Sequence, residues 1–141
     1  MRGLWFGLSL LASPVFADAP CALNGTEPVA VHEAAKADFL AGRFEAFFQA
    51  ATPLVQDRDA KFDEVMGPLA RLIPDGFAEC STVMQRRDTG GLVQEVSLFK
   101  LKPPGSGHLS LLLTSAPVEG EQKIAFFRYN DQISQVLEAV R

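Results

Sequence analysis

Between residues 31 and 52 the apolar side chains Leu40, Phe44, Phe47, Phe48 and Ala51 recur at the spacing of one helical face, with Phe39 beside them. Each fully buried phenylalanine contributes about 1.5–3 kcal/mol, so this helix should be a principal contributor to the core. Pro28 is tolerated in a first helical turn, and Pro53 should stop the helix. Gly42 costs about 1 kcal/mol relative to alanine in a helix interior, so Ala41, Gly42 and Arg43 mark either a bend or a break into two helices. A second helix is predicted over 59–72, where Phe62, Met66, Leu69 and Leu72 or Ile73 recur every three to four residues behind acidic residues that suit a first turn.

At Pro74, Asp75 and Gly76 the pattern turns strand-like. Four such runs follow, 77–87, 92–102, 108–116 and 122–129, and the Gly- and Pro-rich segments between them have hairpin chemistry. Consecutive hairpins predict a four-stranded antiparallel meander. Helices gathered before strands predict an α+β domain, with the N-terminal helices packed on one face of a curved sheet. Leu109, Leu111 and Leu113 alternate onto that face, while Leu112 and one of Phe126 or Phe127 must point the other way. Over 130–141, Ile133, Val136, Leu137 and Val140 follow the possible caps Asn130 and Asp131, which predicts a C-terminal helix, with an added strand as the alternative. One helical layer covers one sheet face, so the outward residues need the C-terminal segment, a second subunit or a ligand as cover.

The first residues change the picture of where this domain works. Met1 and Arg2 precede an apolar run over 3–12, and Val15 and Ala17 stand three and one residues before Asp18, as in a secretory signal peptide cleaved between Ala17 and Asp18. The run falls short of the roughly 20 apolar residues needed to span a membrane. The expected organisation is a signal peptide over 1–17, an extended arm over 18–30 with a turn at Asn24 and Gly25, and a single domain over 31–141. Asn24, Gly25 and Thr26 also spell a glycosylation acceptor, which matters only in a eukaryotic host.

The whole chain has 13 Lys and Arg against 17 Asp and Glu; removal of Arg2 with the signal leaves 12 against 17, a net charge of −5. That balance disfavours a nucleic-acid or anionic-membrane surface, both of which need clustered cations. Cys21 and Cys80 both survive cleavage, and two cysteines in an exported chain suggest one disulfide, closing a loop of about 60 residues that a chain-entropy estimate values at around 4 kcal/mol. They lack the close spacing of a redox pair, and with His32 and His108 they match no zinc pattern. Asp57, Asp59 and Asp63 have a superficial likeness to a calcium loop, but Phe62 holds the glycine position and the distal glutamate is missing. No cofactor or metal is expected.

The run Phe39, Leu40, Ala41, Gly42, Arg43, Phe44, Glu45, followed by a second helix, the Pro74–Phe77 turn and a meander, resembles small exported bacterial domains of the cone-shaped class shared by nuclear transport factor two and ketosteroid isomerase. The likeness covers most of residues 30–130 and rests on order and pattern; Arg43 stands where that class usually has aspartate. The resemblance implies a bent sheet curled around helices, an apolar pocket between them, and a sheet face that often forms a homodimer. Isomerase-type members use a carboxylate base and a tyrosine or acid that donates to an oxyanion.

Against that background the candidate catalytic residues are Tyr129 with Asp38 or Asp63. The plainer reading makes Tyr129 a half-buried core residue with its hydroxyl at the rim and the two aspartates solvated helix charges. His32 and His108 lack a carboxylate or nucleophile at recognisable spacing and read as surface residues, and no serine sits in a GxSxG elbow. With no catalytic constellation in view, the first expectation is a non-enzymatic exported domain, periplasmic or extracellular, that binds a small apolar ligand or a protein partner. Its pocket would be lined by Phe44, Phe47, Phe62, Met66 and Phe127. The alternatives are an isomerase- or hydrolase-like enzyme, and an accessory envelope protein working through its outer sheet face, with homodimerisation possible in any of them.

Overall fold

The computed structural model describes residues 19–51 and 61–140. The segment expected to be a signal peptide, with the cleavage expected between Ala17 and Asp18, Asp57 and Asp59, and the first residues of the helix expected over 59–72 lie outside the described residues. The fold is α+β: α1 (Ala30–Leu40), α2 (Phe44–Ala51), α3 (Phe62–Val65) and α4 (Gly67–Leu72) precede β1 (Glu79–Arg87), β2 (Val93–Lys100), β3 (His108–Val118) and β4 (Glu121–Asn130), and α5 (Ile133–Leu137) follows. The strands form one antiparallel sheet in the order β1-β2-β3-β4.

Gly42 breaks the leading helix in two. It adopts φ +77°, a left-handed conformation that ends α1, and the C-terminus of α1 there meets the turn before β1. The Phe77 amide donates to the Leu40 carbonyl at 2.8 Å, and a Cβ on Gly76 would lie 2.2 Å from that same oxygen. The break also rephases the apolar stripe. Phe39 joins Phe44, Phe47 and Ala51 in full burial, while Leu40 and Phe48 are half-buried. The second predicted helix is likewise divided, because Pro68 lacks an N–H and so suits the first turn of a new helix, α4, rather than the middle of one.

The inner sheet face carries Cys80, Phe99, Leu109, Leu111, Leu113 and Ile124 against these helices. Phe39 is the hub of that core, with its ring centroid 4.8–5.4 Å from those of Phe44, Phe47, Phe77 and Phe99. On the opposite face Val96 and Leu112 are buried beneath Val136 of α5, with Ala139 and Val140 beside it. The C-terminal segment is therefore a helix, and it covers Leu112. Phe127 points inward and Phe126 outward, 42% exposed.

Cys21 and Cys80 form a disulfide. It sits beside a short parallel bridge in which the Ala22 amide donates to the Cys80 carbonyl and the Thr82 amide to the Ala22 carbonyl, so the arm is an extra edge of the sheet. The turn expected at Asn24 and Gly25 is present, both residues having positive φ.

Two β-bulges interrupt the sheet. In β1, Thr82 pairs with Ser97 and Met84 with Val96, leaving Val83 unpaired. In β4, Phe126 pairs with Thr114 and Ile124 with Ser115, leaving Ala125 unpaired. Each bulge exchanges the parity of inward-facing residues along its strand. Tyr129 and Phe127 face inward beyond Ala125, but Ile124 and Gln122 do so before it.

Candidate functional site

Both bulges flank a buried polar cluster between α1 and the inner face. His32 and Lys36, one helical turn apart, project from the stripe that also carries Ala35 and Phe39, and all four are buried. The cluster's sheet residues, Thr82, Glu95, Ser97 and Ser115, are also buried. His32 Nδ1 lies 2.6 Å from Glu95 Oε2, and its Nε2 lies 2.7 Å from Ser115 Oγ. Lys36 Nζ donates to Glu95 Oε1 at 3.0 Å and to Thr82 Oγ1 at 2.9 Å, and it lies 2.6 Å from Glu33 Oε1. Thr82 and Ser97 hydroxyls are 3.2 Å apart. The expectation of a surface His32 is therefore wrong. The ring lies on the buried side of α1, and its partners come from residues 63 and 83 positions away.

Burial pushes the Glu95 carboxyl upward, but the hydrogen bond and charge of His32, then the charge and hydrogen bond of Lys36, outweigh it and hold the group below the ordinary glutamate range. An ionised carboxylate only accepts, so Nδ1 of His32 carries the donated proton. In the neutral ring Nε2 then accepts from the Ser115 hydroxyl. Ser115 Oγ in turn accepts from Gln122 Nε2 at 2.8 Å, and that same amide donates to the Gly91 carbonyl at 2.9 Å.

Gln122 connects this cluster to the surface. It lines a cleft of about 350 Å³ between α1, α2 and the start of β4. Val31, Ala34 and Ala35 of α1, Ala50 of α2 and Ile124 of β4 supply the apolar wall, and Asp38, Gln49, Gln122 and Lys123 supply the polar groups. The size and the lining, largely apolar with a few polar groups, suit a small ligand.

The residues singled out from the sequence fall elsewhere. The Tyr129 hydroxyl donates to the Val65 carbonyl at the edge of the core, and burial pushes its pKa up. Asp38 borders the cleft and pairs with Arg43 at 2.9 Å, while Asp63 is exposed on α3. None of the described cavities is lined by Tyr129 together with either aspartate. Phe44, Phe47 and Met66 are buried, and Phe62 and Phe127 pack against them as core. Phe44 and Phe62 also border a shallow depression beside Gly42 and Pro74, but Phe47, Met66 and Phe127 line none of the described cavities. His108 is exposed.

The cluster left faint signals in the sequence: His32 and Lys36 share the helical face of Phe39, and Glu95 shares the strand parity of Ser97 and Phe99. Only the fold brings these faces together. Among the described residues no group of three or more His, Cys, Asp or Glu could hold a metal ion, and no helix is long and apolar enough to cross a membrane. Compared with protein-family models, curated proteins and solved structures, the chain matches none.

Proposed function

We propose that this chain is an exported domain of the cone-shaped α+β class that binds a small, largely apolar molecule in the cleft between α1, α2 and β4. The observation that carries the reading is the cleft itself: its wall is made of small aliphatic side chains, and its few polar groups, Asp38, Gln49, Gln122 and Lys123, can orient a ligand. The Cys21–Cys80 bond supports an oxidising compartment outside the cytoplasm. The pocket imagined between Phe44, Phe47, Phe62, Met66 and Phe127 gives way to this neighbouring cleft, because those side chains fill the core.

The test is titration of the mature chain with the fluorescent apolar probe 1-anilinonaphthalene-8-sulfonate, repeated on Ala34→Trp. Ala34 lies on the exposed side of α1 and lines the cleft, so an indole there fills the site without entering the core. Saturable binding that disappears in the variant is the expected result. Binding that is non-saturable, or equal in both proteins, would remove the cleft as the site.

A further inference from the structure

We infer that Ser115 is a nucleophile activated by His32, and that small carboxylic esters entering the cleft beside Gln122 acylate it. This inference rests on the cleft as the binding site. It stands on a chain of contacts: Ser115 Oγ is 2.7 Å from His32 Nε2, and His32 Nδ1 is 2.6 Å from a carboxylate oxygen of Glu95. That is the nucleophile, base and orienting acid of covalent catalysis, recognised by mutual geometry rather than by chain order. Lys36 bonds the other carboxylate oxygen at 3.0 Å and fixes Glu95 in place, so Glu95 and Lys36 are positioning residues.

Stability alone does not account for the set. Replacing a buried ionic cluster by apolar side chains of similar volume is often neutral or stabilising, whereas this sheet carries a bulge on either side of the cluster. The Ala125 bulge turns Gln122 inward, onto Ser115 Oγ. Bulges of this kind re-aim side chains beside active sites. Gln122 both lines the apolar cleft and bonds the buried Ser115 hydroxyl, and the inferred reaction requires its amide to rotate outward so that Oγ can meet a molecule held there.

In the reaction the Ser115 Oγ attacks the ester carbonyl carbon while its proton passes to His32 Nε2. The bond from that carbon to the alcohol oxygen breaks, and the departing oxygen takes the proton from Nε2. Water then attacks the acyl-serine with Nε2 as base, releasing the carboxylic acid and restoring the serine.

The experiment treats the mature, disulfide-bonded chain with a short-chain alkyl fluorophosphonate and follows adduct formation by intact mass and peptide mapping. One phosphonyl adduct on Ser115 is expected, absent in Ser115→Ala and slowed about 10²-fold or more in His32→Asn, the scale of a lost general base. Gln122→Ala, at a half-buried position, should react faster than the wild type. Absence of a Ser115 adduct in both wild type and Gln122→Ala, each folded by circular dichroism, overturns the inference, as does equal labelling of Ser115→Ala. If the anilinonaphthalene probe still binds while no adduct forms, the nucleophile is lost and the binding cleft stands; if neither occurs, both are lost.

Discussion

His32 Nδ1 and Glu95 Oε2 meet at 2.6 Å across 63 residues of sequence, tying the first turns of α1 to the middle of β2. Lys36 holds the other oxygen of the same carboxylate. Removing one partner of a buried pair leaves an uncompensated charge, which costs about 3–5 kcal/mol. Lys36→Met should therefore lower stability by that amount, while the double variant Lys36→Met with Glu95→Gln should lose less than the sum of the two single changes. Urea midpoints of the four proteins form the cycle, and strict additivity would mean that the pair is not coupled.

Acid should weaken the domain through Glu95. Its carboxyl titrates below the ordinary value of 4.5 in the folded chain, so in the interval between the two values the unfolded chain binds more protons. The contribution of Glu95 is then complete above the unfolded value and is lost as the pH falls through the lowered folded one. Urea midpoints at neutral pH and at successive steps below pH 4.5 should show wild type and Glu95→Gln converging as the medium becomes more acid. A constant gap would mean that Glu95 is not the group responsible.

Gly76 should tolerate no side chain. Its φ is +73°, a conformation costing about 1–3 kcal/mol for other residues, and an added Cβ would sit 2.2 Å from the Leu40 carbonyl oxygen. Gly76→Ala is expected to destabilise by more than the dihedral cost alone. Gly90→Ala, where the new methyl meets nothing within 4 Å beyond its own chain neighbours, should stay within about 0.5 kcal/mol of wild type. Thermal denaturation of the pair separates the steric effect from any general intolerance of loop substitutions.

The disulfide spans 59 residues of sequence. Closing a loop of that size contributes around 4 kcal/mol in the chain-entropy estimate, so Cys21→Ser with Cys80→Ser should lose stability on that scale. Freed of its anchor, the arm should also release the Thr82 amide from the Ala22 carbonyl. Faster hydrogen exchange at Thr82, with Leu111 little changed, is the expected signature.

The element order was legible because apolar spacing and turn residues are local: the Phe-rich helices, four hairpin-linked strands and C-terminal helix follow from neighbours in sequence. The division of the second helix has a sequence signal as well, Pro68 in the middle of the stripe from Phe62 to Leu72. The polar cluster was not legible. His32 reads as a lone histidine because Glu95 and Ser115 reach it only after α1 crosses β2 and β3, and no spacing along the chain encodes that crossing. Gln122 was hidden for another reason: strict alternation counted back from Tyr129 and Phe127 turns it to the outside.

That reversal sets a practical rule for anyone mutating the last strand. A library aimed at the interior must switch from odd to even positions on passing Ala125, so that a charge placed at 124 lands in the buried aliphatic wall of the cleft while one at 126 meets water. Deleting Ala125 itself should straighten the strand yet leave Ile124 opposite Ser115 and Gln122 facing inward, because the pairing already skips that position, whereas removing any paired residue of the same strand would shift every partner beyond it.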